Sequence, residues 1–325
     1  MMRPGTACLA ASLAAWLAMA SLPALGDEAP GDDIPVLDPV LTMLGLLEET
    51  PPTNDPAPLW GRGDPDLQTA VEAALVRLEL DDDTRKRRLS VVLVDISDSD
   101  QPKVASVNGD RMIYAASLPK IAVLLAVFEQ IEAGNMKLDT ETEELLRKMI
   151  RRSDNRATTE LMHRAGVENI ANALLDPRYR LYDPAHNGGL WVGKDYASAG
   201  LWRRDPIHNL SHGATAMQVA RFYYLLETGN LVSAKASRQM KSILEDSQLN
   251  HKFLRVLRRI NPSARTFRKS GSWRTFHSDS VLVKKGRRGY IAVALSNDSE
   301  GKIWLGQIIE AFDALIFPKI GRAHV

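Results

Sequence analysis

The sequence predicts an α/β (α+β) fold in which an antiparallel sheet, flanked by helices, adjoins an all-helical lobe. Continuous β-branched apolar runs occur near both ends of the chain, and helical periodicity fills the middle. Strands from the two ends can pair in one sheet, which leaves the middle helices as a second lobe. We therefore expect a functional site in the cleft between sheet and lobe.

Each element follows from its local pattern. Residues 67–80 have the apolar spacing of a helix, whereas 89–96 and 103–107 are typical of a buried strand and its hairpin partner. The other expected elements are helices at 119–134, 141–152, 155–164, 215–227 and 234–246, strands at 266–273, 278–284 and 290–296, and a closing helix at 301–317. The intervening segment 176–212 has no clear period. Loops of that length inside a compact domain tend to be functional.

The composition is that of an ordinary globular protein, with 45% hydrophobic and 25% charged residues among 325. Lys and Arg number 41 against 40 Asp and Glu, a net charge of +1, so nothing favours a nucleic-acid partner. The basic run 85–88 directly follows acidic residues 81–83 and predicts a solvated turn. Cys8 is the only cysteine. A mature chain without its leader would have no disulfide and no thiol nucleophile.

The first 26 residues have the pattern of an export signal. Arg3 supplies a positive charge, 7–20 is a small-residue apolar run, and 24–26 fits a cleavage site. A retained membrane anchor is the alternative, although the run is rich in Ala and broken by Pro23. We expect a periplasmic or secreted monomer with no membrane span in the mature chain. Its predicted segments are a signal peptide (1–26), a Pro-rich N-terminal extension (27–66), a globular domain (67–317) and a C-terminal tail (318–325).

The stretch 114–128 holds the first candidate for chemistry. It predicts a loop that turns into a buried helix, with Pro119 in the first helical turn. Ser117 and Lys120 would share one face of that turn, as a nucleophile beside its base. The alternative is a helix-capping serine and a solvated lysine. A second Ser-x-x-Lys, Ser299 to Lys302, shows that the pattern alone is weak.

Two further triplets each occur once, in suitable contexts. One lies between two predicted helices and the other on the first strand of the closing sheet, and they read Ser153-Asp154-Asn155 and Lys269-Ser270-Gly271. With Ser117 and Lys120 they resemble the signature of class A β-lactamases and penicillin-binding proteins. The resemblance covers roughly 67–317 and implies a β-lactamase/transpeptidase-like fold.

The resemblance also implies the site residues. The implied catalytic residues are Ser117, Lys120, Ser153 and Lys269, and the implied substrate-binding residues are Asn155, Ser270 and Ser272. Ser117 would be acylated, Lys120 would take its proton, and Ser153 would pass a proton to the leaving nitrogen. Lys269 would favour a neutral Lys120 by its charge. No cofactor and no metal is implied.

The substrate would be a small-molecule β-lactam or a D-Ala-D-Ala peptide of peptidoglycan. Lys269 and Ser270 would bind its carboxylate, and Asn155 would hold Lys120 and the side-chain amide. The backbone N–H groups of Ser117 and Ser272 would form the oxyanion hole. Arg274 would add charge near the carboxylate, or else be an exposed strand arginine.

One family motif is missing. Class A β-lactamases carry Glu-x-x-Leu-Asn in the active-site loop, where the glutamate activates the deacylating water. Between Asn169 and His212 the sequence contains no glutamate. The carboxylates in this segment are Asp176, Asp183, Asp195 and Asp205. Each could be a turn-forming aspartate instead. The sequence therefore predicts acylation with slow or atypical deacylation.

Three other interpretations remain. A D,D-carboxypeptidase or transpeptidase would pass the acyl group on from the same site. A non-catalytic β-lactam-binding or sensor module would keep the fold without turnover. The pair His208 and His212, with Asp205 upstream, would bind zinc if helical, although Pro206 and Gly213 bracket it.

Overall fold

The computed structural model describes residues 59–197 and 203–318. The predicted signal peptide, most of the Pro-rich extension and nearly all of the C-terminal tail lie outside the described residues. Within the described ranges, no helix combines the length and the apolar character needed to span a bilayer.

Helices and short strands lie between a first pair of strands and a last group of three long strands. The strands are β1 (Leu89–Asp95), β2 (Lys103–Val107), β3 (Ile113–Tyr114), β4 (Tyr182–Asp183), β5 (Gly188–Gly189), β6 (Trp191–Val192), β7 (His212–Ala214), β8 (Arg265–Trp273), β9 (Phe276–Lys285) and β10 (Arg288–Asn297). The helices are α1 (Pro65–Arg77), α2 (Asp81–Arg85), α3 (Lys120–Glu132), α4 (Thr140–Arg151), α5 (Asn155–Ala165), α6 (Val167–Leu175), α7 (Ala216–Thr228), α8 (Ala234–Leu244), α9 (Lys252–Ile260) and α10 (Gly301–Ile316).

The expected single sheet is confirmed. Its strand order is β2-β1-β10-β9-β8, so strands from the two ends of the chain meet at the β1–β10 pair. That pair is antiparallel, with Leu89 opposite Ser296 and Asp95 opposite Tyr290. Strand β8 forms one edge of the sheet, and this edge faces the helical lobe.

Helix α3 is the centre of the helical lobe. Every residue from Lys120 to Phe128 is buried, because the helix is apolar nearly all round. Helices α4, α5 and α6 pack around it, and their own buried residues lie on one side of each helix. The second core cluster lies on the opposite face of the sheet, under α1, α9 and α10.

Three helices were not predicted. Helix α2 forms over the acidic run just before the basic run that was interpreted as a solvated turn, and Arg88 pairs with both Asp83 and Asp298. Helix α6 begins directly after Gly166, whose φ of 84° ends α5 and redirects the chain. Helix α9 lies in a stretch for which no element was expected. All three are short, and tertiary contacts override their weak local signals.

The packed body begins before residue 67. Leu59 is 1% exposed and belongs to the main core, and Gly63 forms a bridge with Val104. Asp64 then caps α1, since its Oδ1 accepts from the Leu67 N–H at 2.8 Å, with Pro65 in the first turn. The end of the Pro-rich segment is therefore part of the fold.

Candidate active site

Ser117 lies in a turn ahead of α3, not within the helix. The helix begins at Lys120 with Pro119 as its cap, so the prediction that Pro119 sits inside the first turn was wrong by one residue. The Lys120 N–H nevertheless reaches the Ser117 carbonyl at 3.4 Å, so one backbone turn joins the two residues. The turn arises because Ala116 adopts a left-handed φ of 52°, a conformation that is costly for a non-glycine residue.

Strand β8 runs close against the serine turn. A Cβ atom on Gly271 would lie 2.6 Å from the Ser117 amide nitrogen and would also clash with the Ala115 carbonyl. Only glycine allows that approach. The third triplet thus needs its glycine for packing, and the packing brings Ser117 beside Ser272.

Lys120 is fully buried in a polar cage. Its Nζ donates to the Ser153 carbonyl and to Asn155 Oδ1, both at 2.7 Å, and lies 3.4 Å from Ser153 Oγ. Burial lowers the pKa of Lys120 to about 7, so the amine is neutral in a substantial fraction of molecules near neutral pH. A neutral amine has two N–H groups for the two close acceptors, and its lone pair remains to take a proton.

Lys269 shares the Ser153 hydroxyl with Lys120. Its Nζ lies 3.0 Å from Ser153 Oγ and 2.7 Å from the Ser270 carbonyl. Burial and the neighbouring Lys120 charge lower the pKa of Lys269 well below its usual value. Ser153 itself adopts a left-handed φ of 58°. Ser153 is therefore held between two amines, as a proton relay requires.

One residue of the Ser-Asp-Asn triplet caps a helix, and the other two contact Lys120. Asp154 caps α5, because its Oδ1 accepts from the Ala157 N–H at 2.8 Å. The flanking Ser153 and Asn155 side chains are directed to Lys120. The lysine cage is thus fixed by a helix start.

A cleft of about 520 Å³ opens over these residues. Its lining includes the expected Ser117, Asn155, Ser272 and Arg274, and it also includes Tyr114, Ala116, Lys194, Asp195, Tyr196, Ser211, His212, Trp273 and Phe276. Ser270 is 4% exposed on β8, beside Lys269. The sequence-predicted residues therefore gather at one place, at the edge of the sheet and the start of two helices.

The loop aspartates occupy other positions. Asp183 is bound by Arg180 at 2.6 Å and His186 at 3.0 Å. Burial acts to raise the pKa of Asp183, but the hydrogen bonds to His186 and Arg180 outweigh it and lower the pKa to about 2. Asp205 accepts from the Tyr182 hydroxyl at 2.7 Å and from backbone N–H groups of its own turn. Asp176 pairs with Arg178 at 2.7 Å. These three carboxylates stabilise turns.

Asp195 alone among the four lines the cleft. Its carboxylate oxygens each lie 3.1 Å from His163 Nε2. The next residue, Tyr196, lies over the Lys120 amine with its ring centroid 4.6 Å from Nζ. Within the described residues of the loop, an aromatic ring and not a carboxylate therefore contacts Lys120.

Tyr196 was missed by the sequence-based reasoning, and His212 was considered only as a zinc ligand. Their rings pack 4.1 Å apart, and burial lowers the pKa of His212 to about 4. The only available signal was their position in the unpatterned segment 176–212, which was expected to be functional. That segment forms β4 to β7 and brings both rings beside α3.

The zinc arrangement lacks its helical frame. His212 lies on β7, and its Nε2 donates to the Lys194 carbonyl at 3.0 Å. His208 lies in a turn, where its Nε2 contacts Asn187 Oδ1 at 3.0 Å. In residues 59–197 and 203–318, no three His, Cys, Asp or Glu side chains form a cluster suited to a metal ion.

Comparisons with known proteins bear on the family and on the fold. The family model described as the beta-lactamase enzyme family matches residues 70–143 and 140–315. No curated protein sequence matches the chain.

Three solved structures illustrate the likeness. A β-lactamase from Sphaerobacter thermophilus is 18% identical with a TM-score of 0.61, covering 77% of this chain and 97% of that one. A mutant of PBP-A, as its acyl-enzyme complex with penicillin G, is 17% identical with a TM-score of 0.59, covering 78% and 97%. A β-lactamase from Chitinophaga pinensis is 14% identical with a TM-score of 0.59, covering 74% and 98%. At these identities the likeness shows the β-lactamase/transpeptidase-like fold, and the family match over most of the chain shows that this protein belongs to the beta-lactamase enzyme family.

Proposed function

We propose that this protein is an exported serine hydrolase that forms an acyl-enzyme at Ser117 with β-lactam-type amides and releases the acyl group slowly. The observation that carries the proposal is the buried Lys120 amine, whose pKa is about 7 and whose cage includes the Ser153 hydroxyl. In this proposal 67–317 is the hydrolase domain and 1–26 the export signal.

Acylation would proceed through two proton transfers, one from Ser117 to Lys120 and one from Ser153 to the leaving nitrogen. Neutral Lys120 takes the proton of the Ser117 hydroxyl as Oγ bonds to the amide carbon. The oxyanion is held by the Ser117 and Ser272 N–H groups, each worth ~3–4 kcal/mol in comparable sites. The amide C–N bond then breaks, and the nitrogen takes the Ser153 proton, which Lys120 or Lys269 replaces.

Slow deacylation is supported by the groups around the lysine. Hydrolysis of the ester needs a base that takes a proton from water. In the described part of the loop, Tyr196 faces Lys120 and the Asp195 carboxylate contacts His163. A D,D-carboxypeptidase or transpeptidase is the second candidate, since the same acyl-enzyme could pass its acyl group to water in the first case or to an amine acceptor in the second.

Mass spectrometry of the intact protein tests the proposal. After incubation with penicillin G, we expect the mass to rise by one penicillin, with the adduct on Ser117 and no adduct in Ser117→Ala. An unmodified wild type, or a labelled Ser117→Ala, would contradict it. Following the adduct over time separates the candidates: loss over minutes with release of the opened penicillin supports the slow hydrolase, loss within seconds contradicts slow release, and a stable adduct indicates a penicillin-binding peptidase or a sensor module.

A further inference from the structure

We propose that the two peptide units of the oxyanion hole are polarised from behind, one by Lys252 and the other by Tyr196. The proposal rests on the proposed function, because it takes the Ser117 and Ser272 N–H groups as the oxyanion donors. In a planar trans peptide, the carbonyl of one residue and the N–H of the next belong to one conjugated group and point in opposite directions. A donor on that carbonyl therefore strengthens that N–H.

Lys252 acts on the peptide unit that joins Gly271 to Ser272. Its Nζ donates to the Gly271 carbonyl at 2.5 Å and to the Ser278 carbonyl at 3.0 Å. Gly271 and Ser278 are opposite partners in the β8–β9 pair. The Gly271 carbonyl thus points toward β9, and the Ser272 N–H points the other way, to the edge of the sheet where the serine turn lies.

Lys252 is built into this position. The residue is 3% exposed and adopts a left-handed φ of 48° at the start of α9. Burial lowers its pKa to about 8, while Asp279 acts in the opposite sense. Asp279 is itself paired with Arg268 at 2.7 Å, so its carboxylate is occupied by another cation. The donors of Lys252 therefore go to backbone carbonyls, and its charge lies directly behind the Ser272 N–H.

Tyr196 acts in the same way on the peptide unit that joins Ala116 to Ser117. Its hydroxyl donates to the Ala116 carbonyl at 3.3 Å. The ring is held between His212 and Lys120, and its backbone N–H donates to Thr159 Oγ1 at 3.2 Å. The hydroxyl is neutral and its hydrogen bond is long, so its effect is smaller than that of the Lys252 cation.

The contribution should appear only in the transition state. Negative charge on the oxygen develops as the tetrahedral intermediate forms, so a stronger donor raises the acylation rate without tightening initial binding. Removing a whole donor costs about 10²–10³-fold, and one hydrogen bond strengthens its neighbour by roughly 10–30%. We therefore expect losses of about fivefold for Lys252→Met and about twofold for Tyr196→Phe.

The experiment measures single-turnover acylation by a chromogenic cephalosporin together with inhibition by phenylboronic acid, which forms a tetrahedral anion on the active-site serine. We expect Lys252→Met to lower the acylation rate constant and the boronate affinity by the same factor. The dissociation constant of the initial cephalosporin complex stays unchanged. Lys252→Arg restores most of the rate, and Lys252→Gln, which can donate without a charge, does not. The exposed Lys235 on α8 provides the matched control, Lys235→Met, with wild-type values.

The outcomes separate the inference from its basis. If the wild type forms no Ser117 adduct, both the proposed function and this inference are wrong. If the wild type is acylated and folded Lys252→Met keeps the wild-type rate and boronate affinity, only the inference is overturned. A weakened initial complex without loss of rate would also overturn it, since that indicates distortion of the cleft. Should Lys252→Met fail to fold, Lys252→Gln against Lys252→Arg decides for Lys252, and Tyr196→Phe decides for the second peptide unit.

Discussion

The chain contains Ser-x-x-Lys twice, each time at the start of a helix, and the two copies have different surroundings. Ser117 and Lys120 precede α3, where Lys120 is 0% exposed and its amine contacts Ser153 and Asn155. Ser299 and Lys302 lie at the start of α10, where both side chains are exposed. The same four-residue pattern is therefore a lysine cage in one region and a solvated helix start in the other.

The difference comes from the rest of each helix. Helix α3 is apolar on every side, so the lobe closes around it and Lys120 loses its water. Helix α10 buries one side against the sheet, and Lys302 faces away from it. Loss of water penalises the charged amine and makes it a base near neutral pH. Burial beside hydrogen-bonding partners, and not the four-residue pattern itself, lowers the pKa of the lysine.

The largest expected difference between the two copies is in the acylation rate after each lysine is removed. We expect Lys120→Ala to slow acylation by about 10³-fold or more, because the general base is lost. Lys302→Ala should leave the rate unchanged. Stopped-flow acylation by a chromogenic β-lactam measures both, and equal rates for the two variants would refute the assignment of the base.

The serines on each side provide a second test. Ser153→Ala should slow acylation about 10²-fold, since the hydroxyl that contacts both Lys120 and Lys269 no longer relays a proton. Ser299→Ala, at the exposed helix start, should behave as wild type. A Ser153→Ala rate within twofold of wild type would show that the proton reaches the leaving group by another route.

The pH dependence of the acylation rate tests the protonation state of Lys120. Only neutral Lys120 accepts a proton, and its pKa is about 7. The acylation rate should therefore rise with pH through about 7, and below that value it should fall about tenfold per unit. The profile of Lys302→Ala should superimpose on that of wild type. A flat profile between pH 5 and 8 would contradict Lys120 as the base.

The smallest expected effect is on stability, away from the site. Gly306 lies inside α10, and an added Cβ would meet Val256 Cγ2 at an ordinary 3.6 Å. Gly306→Ala should raise the free energy of unfolding by about 0.5–1 kcal/mol, because alanine loses less backbone entropy in a helix. Chemical denaturation measures the gain, and acylation should be unaffected. A destabilised protein would show that the helix packs more tightly there than the structure indicates.

Local sequence patterns are sufficient to predict the sheet, the core helix and most of the candidate site residues. Long β-branched runs and an all-apolar helix bury surface in only a few ways, so β1, β8 to β10 and α3 follow from local pattern. The three motifs carry functional groups whose spacing is local, as in Ser153 and Asn155 on either side of the capping Asp154. These features need no information from distant parts of the chain.

The surroundings of those groups depend on tertiary packing. The pKa of Lys120 depends on burial beneath Tyr196, 76 residues further along the chain, and that contact has no local signal. The approach of Gly271 to Ser117 and the Lys252 hydrogen bond to Gly271 likewise join segments far apart in sequence. Desolvation and hydrogen bonding act through space, so the motif residues acquire their chemistry only when sheet and lobe pack together.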